Sequence, residues 1–339
     1  MLPGGEQGAA PGEGGGVSGR TDGPRVLVGA ATIEEAERRW LAAEFADVRF
    51  AFAEDGRAEA EGGYEVIFSK GVDAAVIEAS PELRWYQAGT AGVERVLKAL
   101  EERPGVMVTN ARGAHGIPMA ENILTMALCF ATRMHRLIRT QPHKARIGRE
   151  VIKEKWELHG QTMLVLGLGD IGGTLAEKAM ALGMRVLGVR RSGAAHPGCE
   201  AVYTPQRLQE ALPEADHVAL CLPLTGETRA IIGERELRLM KPTAHVYNVG
   251  RGASLEGKAL RRALAEGWIA GAGLDCVDPT DVPADDDVLW EMDEVILSHH
   301  TSGSSPYNSR RIAEIFGGNL RSYLSGTALA NVVSREKGY

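Results

Sequence analysis

The sequence predicts an α/β fold of two doubly wound parallel-sheet domains, the second inserted into a discontinuous first. Three observations predict it. The chain has 339 residues, too many for one ordinary α/β domain and about right for two. Short apolar runs alternate with helical patterns in two successive arrays, as parallel sheets covered on both faces require. Between the arrays, Thr162–Leu166 leads into Gly167-Leu-Gly-Asp-Ile-Gly172, and a helical pattern follows from Thr174 to Leu182.

The elements follow in order. Residues 1–23 are rich in Gly, with Pro, Ala and polar residues. Such a stretch buries too little surface to offset its chain entropy, so it reads as a disordered tail. Strands are expected at Pro24–Gly29, Val48–Ala53, Tyr64–Phe68, Leu83–Gln87 and Val106–Thr109. Thr32 is placed to cap a helix over Ile33–Phe45, and Ala74–Ala79 and Val93–Glu102 read as further helices. A long helix from Pro118 to about Leu137 carries Met119, Ile123, Met126, Ala127 and Phe130 at the spacing of a buried face. The second array is expected at Met163–Leu166, Arg185–Val189, His217–Cys221, His245–Asn248, Ala270–Leu274 and Val295–Ser298. The last helix, Ser309–Leu324, should return to the first domain. The expected boundaries are 24–118 with 304–339 for one domain and 119–303 for the other.

The glycine turn carries the first chemistry. Gly167 permits a tight turn, Gly169 lets a pyrophosphate approach the backbone, and Gly172 lets the helix sit close to the strand. Asp170 and Ile171 complete the turn, and the helix N-terminus offers free N–H groups and partial positive charge. A Rossmann dinucleotide site is therefore expected. At the end of the next strand, NAD sites usually carry an acidic residue for the ribose 2′-OH. This chain has Arg190-Arg191-Ser192, which suits a 2′-phosphate. NADP(H) is preferred, with NAD(H) as the lesser expectation.

Composition excludes several classes. The net charge of −7 does not suggest a nucleic-acid surface. Cys129, Cys199, Cys221 and Cys276 are scattered without a Cys-x-x-Cys pair, as in a reduced cytoplasmic protein with neither a disulfide framework nor a metal site. No apolar run is long enough to span a membrane, and the N-terminus lacks the order of a signal peptide.

Asn248-Val-Gly-Arg-Gly252 places an arginine at a strand end, and Ser298-His-His-Thr-Ser-Gly303 places paired histidines at another. Between them lies Gly271-Ala-Gly-Leu-Asp-Cys-Val-Asp-Pro-Thr-Asp281. With Trp85–Val93, Asn110–Gly113, Ala120-Glu121, Leu222–Thr225 and Asn331–Val333, these runs make the chain resemble the D-isomer-specific 2-hydroxyacid dehydrogenase family from about Pro24 to Tyr339. The resemblance implies a Rossmann nucleotide domain inserted into a flavodoxin-like substrate domain. It also implies NADPH-dependent, reversible reduction of a small anionic 2-keto acid to a D-2-hydroxy acid, by a homodimer joined through the long helix and the segment around Gln141–Trp156.

The resemblance also assigns roles. Arg251 orients the substrate by gripping its carboxylate and polarising the keto oxygen. His300 is the acid/base that protonates that oxygen. His299 stands where relatives often have Pro. Ala91 and Gly92 match the loop whose N–H groups hold the carboxylate. Asp275 matches the aspartate near the nicotinamide carboxamide, Asn248, Val249 and Gly250 line that ring, and Leu222 and Pro223 belong to the cofactor-lining motif. Ser69 and Lys70 end a strand facing the cleft, where they can touch the substrate tail, though Lys70 reads equally as a solvated loop charge. Relatives pair the histidine with a glutamate five residues after the aspartate; here that count gives Thr280. A hydroxyl orients an imidazole but does less to favour its charged form than a carboxylate. An active reductase with an acid-side pH optimum is expected, unless Asp281 or Asp278 supplies the charge. Glyoxylate or hydroxypyruvate reduction, phosphite or formate oxidation, and a non-catalytic dinucleotide sensor are the rival readings.

Overall fold

The computed structural model describes residues 23–53, 62–71, 73–336 and 338. The tail expected at 1–23 lies outside these residues except for Gly23. The first array gives β1 (Arg25–Val28), α1 (Glu35–Glu44), β2 (Arg49–Phe52), β3 (Val66–Ser69), α2 (Ala74–Glu78), β4 (Trp85–Ala88), α3 (Glu94–Ala99) and β5 (Met107–Thr109). Then come α4 (Gly116–Thr132), α5 (Met134–Thr140) and α6 (Gly148–Val151). The second array is β6 (Thr162–Leu166), α7 (Asp170–Ala181), β7 (Arg185–Val189), β8 (Ala201–Tyr203), α8 (Leu208–Ala211), β9 (His217–Leu220), α9 (Glu234–Leu239), β10 (His245–Asn248), α10 (Gly257–Ala265), β11 (Gly271–Leu274) and β12 (Val295–Leu297). Helix α11 (Asn308–Leu324) closes the chain.

The strands form two sheets, ordered β2-β1-β3-β4-β5 and β12-β11-β10-β9-β6-β7-β8. Every named pairing within them is parallel. Alternation along each strand explains why both faces are covered. Leu164 and Leu166 of β6 join Val218, Val246 and the helices α8 to α10, whereas Met163 and Val165 join Ala219, Tyr247, α4 and α7. In the first sheet, Val26, Val66 and Trp85 face α1 and α11, while Leu27, Ile67 and Tyr86 face α2 and α3. Helix α11 thus rejoins the first sheet. Phe316 stacks on Phe68 at 4.2 Å and on Trp85 at 5.4 Å, and Asn319 Nδ2 donates to Oε1 of the buried Gln87 at 3.0 Å.

Three local expectations are corrected. Thr32 does not cap α1: the N-cap is Glu34, and the Thr32 hydroxyl instead accepts from the Lys70 N–H at 3.2 Å. The long helix stops at Thr132 because Arg133 adopts φ +57°, so α5 leaves in a new direction. The second sheet has seven strands, not six. Its extra member, β8, is a three-residue edge strand that borrows its order from β7.

His217 and His245 begin β9 and β10 in register, with ring centroids 5.9 Å apart. Trp156 lies against both, and Phe130 lies 4.6 Å from His245. Burial pushes His217 down to about 4, against the opposing pull of Asp216. Burial, then His217 and Arg133, push His245 down to about 3. The unfolded chain takes up these protons near 6.5, where the folded chain refuses them. Their contribution to stability is therefore full above about 6.5 and declines as pH falls toward 4. The denaturant midpoint is expected to drop between pH 7 and pH 4.5, and His245→Gln should make that drop shallower. An equally steep drop in the variant would remove His245 from the account.

Candidate active site

The carboxyl ends of β6, β7, β9, β10, β11 and β12 form one edge, and the loops leaving them build the site. At β6, Gly167 has φ +93°, and a Cβ there would meet the Cys221 carbonyl oxygen at 2.7 Å. A Cβ on Gly172 would lie 1.8 Å from the Gly167 carbonyl oxygen, so the helix seats directly on the turn. Gly169 faces open space, with nothing within 4 Å of its missing Cβ. No side chain caps α7, which begins at Asp170 with Gly169 as N-cap. An open backbone before an uncapped twelve-residue helix fits a pyrophosphate. Ile171 is half-buried in the first turn. The Asp170 carboxylate turns away from the cradle and accepts from the Gly113 N–H at 3.1 Å.

At the end of β7 the three residues read from sequence as cofactor-selecting differ. Arg191 lies 3.4 Å from Glu227, and the Ser192 hydroxyl accepts from the Ala194 N–H at 3.3 Å. The Arg190 guanidinium has no ion-pair partner among the described residues. Leu222 and Pro223, after β9, lie between the glycine turn and the β10 loop. A Cβ on Gly250 would meet the Leu222 carbonyl oxygen at 2.7 Å, so this loop and its neighbour touch backbone to backbone.

Asn248 shapes the β10 loop. Its Oδ1 accepts from the Gly250 N–H at 3.1 Å, and its Nδ2 donates to the Arg251 carbonyl at 3.0 Å. Val249 is buried within that turn. Arg251 emerges half-buried, donating from Nη1 to the Gly250 carbonyl at 2.9 Å and from Nε to Glu94 at 3.1 Å. Glu94 begins α3 in the other domain, so this contact joins the two sheet edges.

The residue after β11 organises the residue after β12. Asp275 is 2% exposed. Its Oδ1 accepts from the Ser298 hydroxyl at 2.7 Å, the Thr301 N–H at 2.9 Å and the Ser302 N–H at 3.0 Å, while Oδ2 accepts from the Ser302 hydroxyl. The His300 N–H donates to the Asp275 carbonyl at 2.7 Å. These bonds hold His299 and His300 at φ +51° and +56°. The Asp275 side chain therefore braces the histidine loop. His299 stands exposed, edge-on to Trp290 at 5.0 Å.

The structure corrects the partner of His300. Its Nδ1 meets Asp281 Oδ2 at 2.5 Å, whereas the Thr280 hydroxyl donates to the Val282 carbonyl. Val277 and Asp281 exchange N–H···O bonds of 2.8 Å each, closing a tight loop with Asp281 at φ +69°. That loop turns the side chain of Asp281, not Thr280, toward the imidazole. The acid-side pH optimum thereby loses its premise, since a carboxylate is present.

From the substrate-domain edge, Ala91 and Gly92 follow β4. Their carbonyls accept from Asn110 Nδ2 at 2.9 Å and Thr90 Oγ1 at 2.7 Å, and their N–H groups meet no acceptor among the described residues. The Ser69 hydroxyl accepts from the Gly71 N–H at 3.1 Å and lines a cavity of about 340 Å³ with Gly29, Asp73 and Tyr86. The Lys70 stem lies over Gly89, and burial lowers its ammonium below the usual range, against the pull of Glu34. Arg251 and His300 thus leave strands separated only by β11, about 10 Å apart at the usual spacing. Glu94, Ser298 and Ser302 were missed from sequence, because each acts through a bond to a distant residue.

The chain matches the model of the D-isomer specific 2-hydroxyacid dehydrogenase NAD-binding domain over residues 124–302. It is 34% identical to a glyoxylate reductase of Korarchaeum cryptofilum over 272 residues, covering 78% of this chain and 80% of that one. A D-isomer-specific 2-hydroxyacid dehydrogenase family protein from Aeromonas salmonicida superposes with a TM-score of 0.76 at 30% identity, covering 92% of this chain and 99% of the other. A D-isomer-specific 2-hydroxyacid dehydrogenase from Xanthobacter autotrophicus, solved with NADPH and MES, gives 0.77 at 26% identity, covering 94% and 100%.

The two glycines make separable predictions. Gly172→Ala should weaken both folding and NADPH binding, since its Cβ has no room. Gly169→Ala should leave unfolding stability within about 1 kcal/mol of the parent. It should still weaken NADPH binding, because the new methyl faces the phosphate path. Equal NADPH affinity in Gly169→Ala and parent, measured by fluorescence titration, would remove the cradle.

Proposed function

The chain belongs to the D-isomer-specific 2-hydroxyacid dehydrogenase family, and from that premise we propose that it reduces a small 2-keto acid such as glyoxylate to its 2-hydroxy acid, with NADPH as the preferred donor and D stereochemistry where the product is chiral. The observation that carries this reading is the His300–Asp281 pair on the same sheet edge as Arg251 and the glycine cradle. The bound nicotinamide supplies the hydride. Gly167, Gly169 and Gly172 seat its pyrophosphate on α7. Arg190, whose guanidinium is uncommitted, takes the 2′-phosphate.

Arg251 grips the substrate carboxylate and the keto oxygen, and the N–H groups of Ala91 and Gly92 approach the same carboxylate. Asp281 occupies Nδ1 of His300 and fixes its tautomer, so Nε2 carries the proton given to the oxygen. The rival reading as a non-catalytic sensor drew weight from the missing glutamate, and Asp281 places a carboxylate against His300 instead. The four cysteines are unpaired, which supports a cytoplasmic setting. Leu128, Met134, Ile138 and Ile152 are exposed on the long helix and the segments after it, which supports a homodimer through that face; light scattering at the monomer mass would dismiss it.

Steady-state NADPH oxidation with glyoxylate, hydroxypyruvate, pyruvate and bulkier keto acids tests the reading. His300→Gln should lower kcat by about 10²- to 10⁴-fold, the usual worth of a general acid. Asp281→Asn should lose at least about tenfold while Thr280→Val stays within about twofold, because only Asp281 holds the imidazole. Full activity in Asp281→Asn would return the role to Thr280. Arg190→Asp should turn preference toward NADH, and an unchanged preference would move the phosphate contact to Arg191 or Ser192.

A further inference from the structure

We propose that Glu94 is an internal occupant of the substrate's carboxylate site, which the substrate must displace from Arg251. This rests on the reading that Arg251 binds the substrate. The arginine fork already has partners within the chain. Its Nε donates to Glu94 Oε1 at 3.1 Å, and its Nη1 donates to the Gly250 carbonyl at 2.9 Å. Its Nη2 lies against Gly92, where a Cβ would sit 2.0 Å from that nitrogen and 2.9 Å from Glu94 Oε2. Glu94 thus places its carboxylate where the loop of Ala91 and Gly92 meets the guanidinium, which is where an incoming carboxylate must sit.

The pair is built for exchange. Its side chains are 32% exposed for Arg251 and 53% for Glu94, so water and small anions reach both. An exposed ion pair of this kind is weak and breaks readily. Substrate entry replaces one carboxylate with another, and the charge count around Arg251 stays constant. The net gain is the difference between the two contacts, so the chain binds its substrate less tightly than an unlatched arginine would. The latch also spans the domains, since Glu94 begins α3 and Arg251 follows β10. Displacing it exchanges a direct tie between the sheet edges for one made through the ligand. The side chain of Glu94 is a positioning group acting through Arg251, with no part in proton transfer.

Glu94→Gln keeps the shape and removes the charge, while Glu94→Asp keeps the charge and shortens the reach. Each variant is compared with the parent and with Arg251→Gln, using oxamate binding to the NADPH complex by calorimetry and glyoxylate reduction by steady-state kinetics. Glu94→Gln is expected to bind oxamate about two- to fivefold more tightly and to raise kcat/KM for glyoxylate by the same factor, the range of an exposed ion pair. Glu94→Asp should fall between parent and Glu94→Gln. Equal or weaker oxamate binding in both variants overturns the latch and makes Glu94 a permanent brace for Arg251. Thermal unfolding of the NADPH complex checks that each variant is folded, and Glu94→Asp carries the test if Glu94→Gln is not. If Arg251→Gln keeps full oxamate affinity and turnover, the reading of the site itself fails; if Arg251→Gln loses both while the Glu94 variants do not tighten, only the latch fails.

Discussion

The site depends on one buried carboxylate. Asp275 is almost fully removed from water, and an ionised carboxylate tolerates this only when donors surround it. Among the described residues those donors come from the five-residue stretch Ser298–Ser302 that carries His300. Any other course of that stretch would strand the charge. The left-handed backbone at His299 and His300 is a consequence, a strain offset by bonds to a group that cannot do without them. Pro cannot adopt the φ +51° that His299 holds. This chain therefore enters its histidine loop along a path that proline would forbid.

Among the described residues, polar contacts join the two sheet edges. Arg251 touches Glu94 and Gly92, and Asp170 touches Gly113. The apolar clusters stay within each sheet's own helices, with α4 on the nucleotide side and α11 on the other. A joint made of an exposed ion pair and an N–H bond separates at small cost, whereas either core would not.

Much of this was legible in the sequence, for identifiable reasons. The glycine turn was readable because local sterics impose it: Gly167 needs positive φ, and Gly172 has no space for a Cβ. Strand β6, apolar after Thr162 and buried at every position, announced itself in the same way. Strand β8 did not, because three half-buried edge residues take their order from β7. The break after Thr132 was hidden because the apolar pattern runs on past Arg133, and only the backbone there turns. Counting residues from Asp275 led to Thr280 because a count cannot see the reciprocal Val277–Asp281 bonds that aim the next side chain. Glu94 was invisible for a related reason: it lies 157 positions from Arg251.

An aspartate inside a turn whose open backbone fits a phosphate poses an electrostatic problem, since its charge would oppose a pyrophosphate. The fold answers it with two glycines from outside the turn. Gly113, at φ +107°, presents its N–H to the Asp170 carboxylate. Gly116 leaves the space beside it, where a Cβ would come within 2.5 Å of Asp170 Oδ1. The negative group is thus drawn toward the start of α4, and the helix N-terminus behind Gly169 keeps its positive field for the cofactor. The same bond ties the phosphate turn to the segment joining the two sheets. The glycine turn and the domain joint consequently share one residue, so crowding at Gly116 would reach Asp170 although Gly116 lies in another helix.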